Sequence, residues 1–185
     1  METVRSVSAG IPVWTRRSVR RGNPSPADLA GMEAALRMAR AGSVREEIPV
    51  GAVLMQEGTI LGEAHNETIQ RNDPTAHAEL IAIQRALGTA GEGRLPGATL
   101  YVTLEPCAQC AGAVILAKVG RVVFGAFDAR VGMAGSVHDL LRDPRQNWRP
   151  EVLGGIMQEE CADLLKRFFQ ARRWGGEANP FQPGL

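Results

Sequence analysis

The chain is poor in cysteine and has no long apolar run. Three cysteines occur among 185 residues, and an odd number does not indicate a disulfide framework, so we expect a reducing, cytoplasmic location. No apolar segment approaches the about 20 residues that a membrane-spanning helix needs, so no membrane partner is expected. The sequence also lacks internal repeats and low-complexity tracts. These absences favour one ordinary globular domain.

Neither sign of charge dominates. The formal net charge is +1, so composition argues neither for nor against nucleic acid, and any RNA contact must use local patches. The first 21 residues hold five arginines but no apolar stretch typical of a secretory signal. We expect residues 1–27 to form a disordered leader, residues 28–174 to form the domain, and residues 175–185 to fray.

Hydrophobic periodicity predicts helices that alternate with buried strands. Helical patterns occupy residues 28–42, about 75–87, 107–117 and 158–174. Strand patterns occupy residues 50–55, 59–66, 98–104, 121–127 and 151–156. The first two strands indicate a hairpin that turns at Glu57 and Gly58, which puts an antiparallel pair into the sheet. The order predicts a three-layer α/β/α sandwich around a five-stranded mixed sheet.

Caps are predicted for the first two helices, and one segment lacks a pattern. Asp28 is expected to cap the first helix, and Asp73 or Thr75 the second. Residues 128–150 show no strong periodicity, and an irregular segment of that length is usually functional or mobile.

Two short motifs place potential metal ligands at the starts of two helices. His77 and Glu79 lie in HAE, while Cys107 and Cys110 lie in PCAQC. Cysteines three positions apart share a helical face, and a helix N-terminus favours the thiolate form that binds metal. With His77 as third ligand, a tetrahedral zinc keeps one open position, which is typical of a catalytic site.

Glu79 fits the second role that such a site requires. It lies two positions from His77, so its carboxylate need not bind the same metal. It can instead take a proton from the activated water and pass it to a ring nitrogen and then to a leaving amine. The two motifs together therefore indicate a catalytic zinc with a carboxylate as general acid and base.

Two other interpretations of the cysteines stay open at this point. A Cys-x-x-Cys pair at a helix start also occurs in thioredoxin-like redox proteins, although that leaves His77 and Glu79 unexplained. A structural zinc would need a fourth protein ligand, for which the candidates are His65, His138 and Cys161. The presence of both halves of the H-x-E…P-C-x-x-C signature favours the catalytic zinc.

Longer segments around the motifs carry a family resemblance. They are IPVGAV (48–53), HN (65–66), NDPTAHAE (72–79), TLYVTLEPC (99–107), RVVFGA (121–126), GMAGSVHDLL (132–141) and ECADLLKRFFQARR (160–173). Over about residues 28–174 the chain resembles the bacterial tRNA-specific adenosine deaminases, which have the cytidine-deaminase fold. The resemblance implies conversion of adenosine to inosine at the wobble position of a tRNA anticodon. It also implies one Zn²⁺ per subunit, held by His77, Cys107 and Cys110, with Glu79 as proton shuttle.

The same resemblance implies how RNA is bound. It assigns to Asn66 a contact with the flipped base, and it implies a homodimer in which both subunits build each tRNA-reading surface. Phe169, Arg172 and Arg173 match family side chains that contact the anticodon loop. Phe168 lies at a core spacing and is expected to pack instead. Positive charge in the last third of the chain is concentrated at Arg142, Arg145, Arg149, Lys166, Arg167, Arg172 and Arg173.

Two places depart from the family pattern. Ala108 and Gln109, between the cysteines, are more polar than the usual apolar pair. Phe127 stands where relatives often carry a basic residue, which weakens one expected phosphate contact.

Two other functions compete with tRNA deamination. A free-base or nucleoside deaminase acting on guanine or cytosine would share the zinc and Glu79, and would differ in residues 128–150 and in the last helix. A non-enzymatic RNA-binding module could keep the zinc site, but the intact Glu79 argues against it.

Overall fold

The computed structural model describes residues 23–174, with side chains through Arg172, around a five-stranded sheet. The strands are β1 (Gly51–Gln56), β2 (Thr59–His65), β3 (Thr99–Leu104), β4 (Arg121–Ala126) and β5 (Glu151–Gly154). The helices are α1 (Pro26–Val44), α2 (Ala78–Ala90), α3 (Ala108–Leu116) and α4 (Gln158–Trp174). The predicted tail (175–185) and residues 1–22 of the predicted leader lie outside the described residues.

The sheet is mixed, as predicted. Its strand order is β2-β1-β3-β4-β5. Strand β1 pairs antiparallel with β2 and β3, whereas β3 with β4 and β4 with β5 are parallel. The hairpin turns at Glu57 and Gly58, which both have positive φ angles of 49° and 80°, the backbone that a two-residue hairpin turn needs.

Two apolar clusters cover the two faces of the sheet. Leu54, Leu100 and Val122 point to the face that packs on α2 and α3. Their chain neighbours Val53, Tyr101 and Val123 point to the opposite face, which packs on α1 and α4. Because successive strand residues face opposite sides, strands covered on both faces are almost wholly apolar. The three-layer α/β/α sandwich is therefore confirmed. Among residues 23–174, no helix has the length and hydrophobicity needed to cross a bilayer.

The start of α1 differs from the prediction. Ser25, rather than Asp28, is the N-cap: its hydroxyl accepts from the Asp28 amide, and the Asp28 carboxylate accepts from the Ser25 amide in return. This reciprocal capping box satisfies two free N–H groups, and Pro26 is tolerated at the first helical position. The helix consequently begins two residues before Asp28.

Asp28 also fastens α1 to the sheet. Its side chain is buried, and it forms an ion pair with Arg121 at the start of β4. Although burial works against ionisation, the hydrogen bonds from Arg121 and Ser25 lower the pKa of Asp28 below its ordinary value. A carboxyl with a lowered pKa stabilises the fold above its ordinary pKa near 3.8, and this contribution is lost as the pH falls through the folded-state value.

We expect Asp28→Asn to lower the free energy of unfolding by about 3 kcal/mol at pH 7, because it leaves the Arg121 guanidinium without its buried partner. The difference from wild type should begin to shrink below about pH 4, where Asp28 becomes protonated in the unfolded state, and should disappear as the pH falls through the lower pKa of Asp28 in the folded state. Urea unfolding at the two pH values measures both effects.

Asp163→Asn is the matched control, because Asp163 is half exposed and pairs with Lys166 on the surface. It should cost less than about 1 kcal/mol. Equal losses from the two substitutions would contradict the role given to Asp28.

Candidate active site

Three potential metal ligands meet where two helices begin. His77 is the N-cap of α2, Cys107 is the N-cap of α3, and Cys110 follows in the first turn of α3. Their ligand atoms all lie within 4.8 Å of one another. The structure thus brings together the three residues that the two sequence motifs predicted.

The distances between these atoms match a tetrahedral zinc site. His77 Nδ1 lies 3.5 Å from the sulfur of Cys107 and 3.5 Å from that of Cys110, and the sulfurs are 3.7 Å apart. Zinc bonds of about 2.3 Å to sulfur and about 2.0 Å to nitrogen give tetrahedral edges of about 3.8 Å between sulfurs and about 3.5 Å from nitrogen to sulfur. The donor set therefore fits zinc in both chemistry and spacing.

The alternative interpretations of the cysteines find no support in this geometry. Both thiols are free, and their separation exceeds the about 2.0 Å of a disulfide. Within residues 23–174, the ligand group contains His77, Cys107 and Cys110 alone. Of the proposed fourth ligands, Cys161 is buried in the cluster on the α1 and α4 side, and the His65 ring contacts the Asn66 carbonyl.

The two sulfurs differ electrostatically. Contact with Cys110, followed by contact with His77, lowers the pKa of Cys107 to about 4. The same sulfur contact, together with burial, raises the pKa of Cys110. Contact with Cys107 and the charge of Glu79 raise the pKa of His77. The pocket therefore holds one thiolate readily, and thiolate is the form that binds metal.

Glu79 is a buried carboxyl beside the ligand group. It is the second residue of α2 and is 4% exposed. Burial raises its pKa above the ordinary carboxyl value. A carboxyl whose pKa is raised toward neutrality can both accept and return a proton, which is what general acid–base chemistry requires.

Asn66 fixes the start of α2. It follows β2, its side chain is buried, and its Oδ1 accepts a hydrogen bond of 2.9 Å from the Ala78 amide. The predicted caps are wrong: the Thr75 amide and hydroxyl bond to Asp73 instead, in the turn before the helix. His77, at the N-cap, makes no side-chain capping bond, so its ring is available to the metal group.

Gln109, one of the departures from the family pattern, links the two helix starts. Its amide donates a 2.7 Å hydrogen bond to the Thr75 carbonyl. One end of this bond lies between the two cysteines, and the other lies two residues before His77. The extra polarity at this position therefore has a local function, which the sequence alone did not reveal.

The terminal helix carries the residues that were predicted to contact RNA. The half-buried rings of Phe168 and Phe169 meet edge to face, with centroids 5.5 Å apart. The Arg172 guanidinium lies 4.7 Å from the Phe168 ring centroid and donates to the Glu46 carbonyl at 2.7 Å. The Arg173 side chain lies outside the described part of the chain. Arg172 thus has part of its donor capacity engaged within the protein.

Several members of the predicted basic patch are ion-paired. Arg142 pairs with Asp139, and Lys166 with Asp163. Arg145 pairs with Asp143, which raises the pKa of the arginine. The positive potential of this region is consequently weaker than its residue count indicates.

Phe127, the other departure, packs inward. Its ring meets Phe124 edge to face with centroids 5.1 Å apart. The packing gives this position a structural role in place of the phosphate contact expected of a basic residue.

Two buried carboxylates, one of them beside the site, were missed by sequence analysis. Glu47 is fully buried and accepts from the amides of Ile69 and Gln70 at 2.8 and 2.7 Å. Glu105 lies between β3 and Cys107 and is also buried. For Glu105, the only signal in the sequence was its place between an apolar strand and a Pro-Cys pair.

Comparison with known proteins places the chain in a family. The model of the cytidine and deoxycytidylate deaminase zinc-binding region matches residues 26–126, which include both ligand motifs. The chain belongs to this deaminase family. More particularly, it is 47% identical over 144 residues to a tRNA-specific adenosine deaminase of Bacillus subtilis, covering 77% of this chain and 88% of that protein.

Solved structures give the same result. One from a study of A-to-I editing by tRNA:A34 deaminases at the wobble position of transfer RNA shares 41% identity and superposes with a TM-score of 0.70. The match covers 74% of this chain and 99% of that one. A guanine deaminase from Nitrosomonas europaea matches with a TM-score of 0.67 but 20% identity, over 83% and 88% of the two chains. The second likeness shows a shared fold alone.

We expect Gln109→Met to release zinc about fivefold faster to a chelator, because one hydrogen bond between the two helix starts contributes about 1 kcal/mol. Release is followed with a colorimetric zinc indicator in excess chelator. Gln84→Met is the control, since Gln84 is exposed on α2 away from the ligands. Identical release rates for both variants and wild type would show that the Gln109 bond does not support the site.

Proposed function

We propose that this protein hydrolyses adenosine to inosine and ammonia at the wobble position of a tRNA anticodon. The observation that carries the proposal is the group of His77, Cys107 and Cys110, with edge distances suited to zinc, beside the buried Glu79. Similarity to tRNA-specific adenosine deaminases supports the choice of substrate.

The proton transfers are assigned to Glu79. Zinc bound by the three ligands would supply Lewis-acid activation of the hydrolytic water. The Glu79 carboxylate accepts a proton from that water and gives it to the adenine ring nitrogen, so that oxygen adds to the ring carbon bearing the amine. A second transfer through Glu79 protonates the amine, the carbon–nitrogen bond breaks, and ammonia leaves.

RNA recognition is assigned to Asn66 and to the end of α4. Because Asn66 Oδ1 already accepts from Ala78, its amide N–H groups are the part that can donate to the flipped base. The ring of Phe169 is suited to stacking on an unpaired base. Arg172 and Arg173 are proposed to contact phosphates, for which guanidinium donors are well matched.

The substrate is tested by comparing the rates of deamination of three kinds of substrate. We expect the protein to form inosine in a tRNA anticodon stem-loop and to leave free guanine and cytidine unchanged, because the terminal helix offers contacts that only RNA can use. Nucleoside analysis by mass spectrometry gives all three rates. Turnover confined to the small molecules would replace this proposal with the free-base alternative.

Glu79→Gln should reduce inosine formation by more than about 100-fold while zinc content stays at one per chain, because the amide cannot accept and return the proton. Cys107→Ser should lose zinc, since it removes one of the three ligands. Metal analysis and single-turnover assays measure the two outcomes. A full rate in Glu79→Gln, or full zinc in Cys107→Ser, would refute the corresponding role.

We also propose that the protein is a homodimer and that it works in the cytoplasm, where its tRNA substrate would be found. Leu116, at the end of α3, is 80% exposed, and Gly112 on the same helix leaves open space around it. An apolar exposed residue on the helix that carries two ligands suits an interface with a second copy.

Leu116→Glu should therefore halve the mass measured by light scattering, because a charge would be buried in the interface. Leu29→Glu, on the exposed side of α1, should leave the mass unchanged. A wild-type protein that is monomeric at micromolar concentration would overturn the assignment.

A further inference from the structure

We propose that Glu105 is a positioning residue whose buried carboxylate holds residues 128–136 in place beside the metal-ligand group and thereby sets how tightly the RNA substrate is bound. The part of this inference that concerns RNA rests on the proposed function.

All the acceptor capacity of Glu105 is directed at one segment. The residue is 2% exposed. Its Oε1 accepts from the Ala134 amide at 2.9 Å and the Ser136 amide at 3.0 Å. Its Oε2 accepts from the Asp128 amide at 3.0 Å and from the Ser136 hydroxyl. A carboxylate offers about four acceptor positions, so these four bonds use the whole group.

The segment lies at the same edge of the sheet as the ligand group. Strands β3 and β4 are parallel and end side by side, with Leu104 opposite Ala126. Cys107 follows the end of β3, and residues 128–136 follow the end of β4. The carboxyl edge of parallel strands is where α/β proteins bind ligands. Glu105 therefore joins the approach to Cys107 with the neighbouring loop.

One hydrogen bond and one close approach show how tightly the backbone of the segment packs against the residues before Cys107. The Met133 amide donates to the carbonyl of Pro106, the residue before Cys107, at 2.9 Å. A side chain at Gly132 would place its Cβ 2.4 Å from the Glu105 carboxyl carbon, so only glycine fits at this approach. The backbone of the segment thus touches both Glu105 and the residue that precedes a ligand.

The segment has little regular structure of its own. Beyond one isolated bridge between Ala134 and Asp139, its described residues belong to no strand or helix. Its internal hydrogen bonds, such as those from the Gly132 amide to the Asp128 carbonyl and from the Arg130 amide to the Asp128 side chain, close local turns. The position of these turns against the site depends on bonds to other parts of the chain. Because Glu105 accepts four hydrogen bonds from this segment, its carboxylate is well placed to fix the position of residues 128–136.

Glutamine cannot reproduce this arrangement, although its size is the same. It has one acceptor oxygen, and its amide nitrogen would face two of the four donors. Because the Ser136 hydroxyl can also accept, at least one of the three buried backbone N–H groups would lose its partner, and the segment would move away from Glu105. The metal ligands belong to other residues, so zinc should stay bound. Aspartate keeps both acceptor oxygens but is one methylene shorter, so it should restore part of the native behaviour.

Glu105→Gln is tested in the full-length, zinc-loaded protein by hydrogen exchange and by kinetics on an anticodon stem-loop. We expect the amides of Asp128, Ala134 and Ser136 to exchange at least about tenfold faster, and KM to rise about tenfold while kcat changes less than about threefold. Zinc should remain at one per chain. Glu105→Asp should give intermediate values for exchange and KM.

Two further variants complete the design. Glu92→Gln, at an exposed acid in another loop, should match wild type in every readout. Ser136→Ala should raise exchange and KM less than Glu105→Gln, because it removes one of the four bonds, and the two effects should not be additive, because both changes alter the same contact between residues 105 and 136. If Glu105→Gln does not fold, Glu105→Asp and Ser136→Ala carry the same comparison.

The outcomes separate this inference from the proposed function. Unchanged exchange in residues 128–136, or a fall in kcat that follows loss of zinc, would overturn the positioning role. If wild-type protein fails to convert the stem-loop, the proposed function fails, and the exchange data by themselves decide whether Glu105 holds the segment.

Discussion

The structure depends on holding the N-termini of two helices, α2 and α3, at a fixed distance and orientation relative to each other. His77 begins α2 and Cys107 begins α3, and a tetrahedral metal site tolerates errors of only a few tenths of an ångström between their ligand atoms. Each helix start is fixed by a bond from outside its own helix. Asn66 bonds to the first amide of α2, and Gln109 reaches across from α3 to the segment before His77. Both helices pack on the same face of the sheet, which brings their N-termini together.

Two buried carboxyls near this site have opposite surroundings. Glu105 has four donors around it, all from one loop, and serves best as a fixed anchor. The pKa of Glu79 is raised by burial, so its carboxyl suits proton exchange. The two roles proposed for these carboxyls, structural for Glu105 and reactive for Glu79, follow from this difference in surroundings.

Sequence reasoning succeeded where local pattern determines the outcome. Short apolar runs and helical periodicity predicted all five strands, the mixed sheet and the hairpin, and the two motifs predicted the ligand group. It failed where a long-range bond decides: Asp73 and Thr75 do not cap α2, because Asn66, which precedes that helix by twelve residues, caps it. The partners of Gln109 and Glu105 were invisible for the same reason. A spacing rule cannot show which distant backbone group lies within bonding distance.

The central claim is that one zinc ion is held by one nitrogen and two sulfurs of this chain, with a position left for water. X-ray absorption at the zinc edge of the purified protein tests it most directly. The account predicts two sulfur neighbours at about 2.3 Å and two nitrogen or oxygen neighbours at about 2.0 Å. A shell of four sulfurs, a shell without sulfur, or protein that binds no zinc would contradict it.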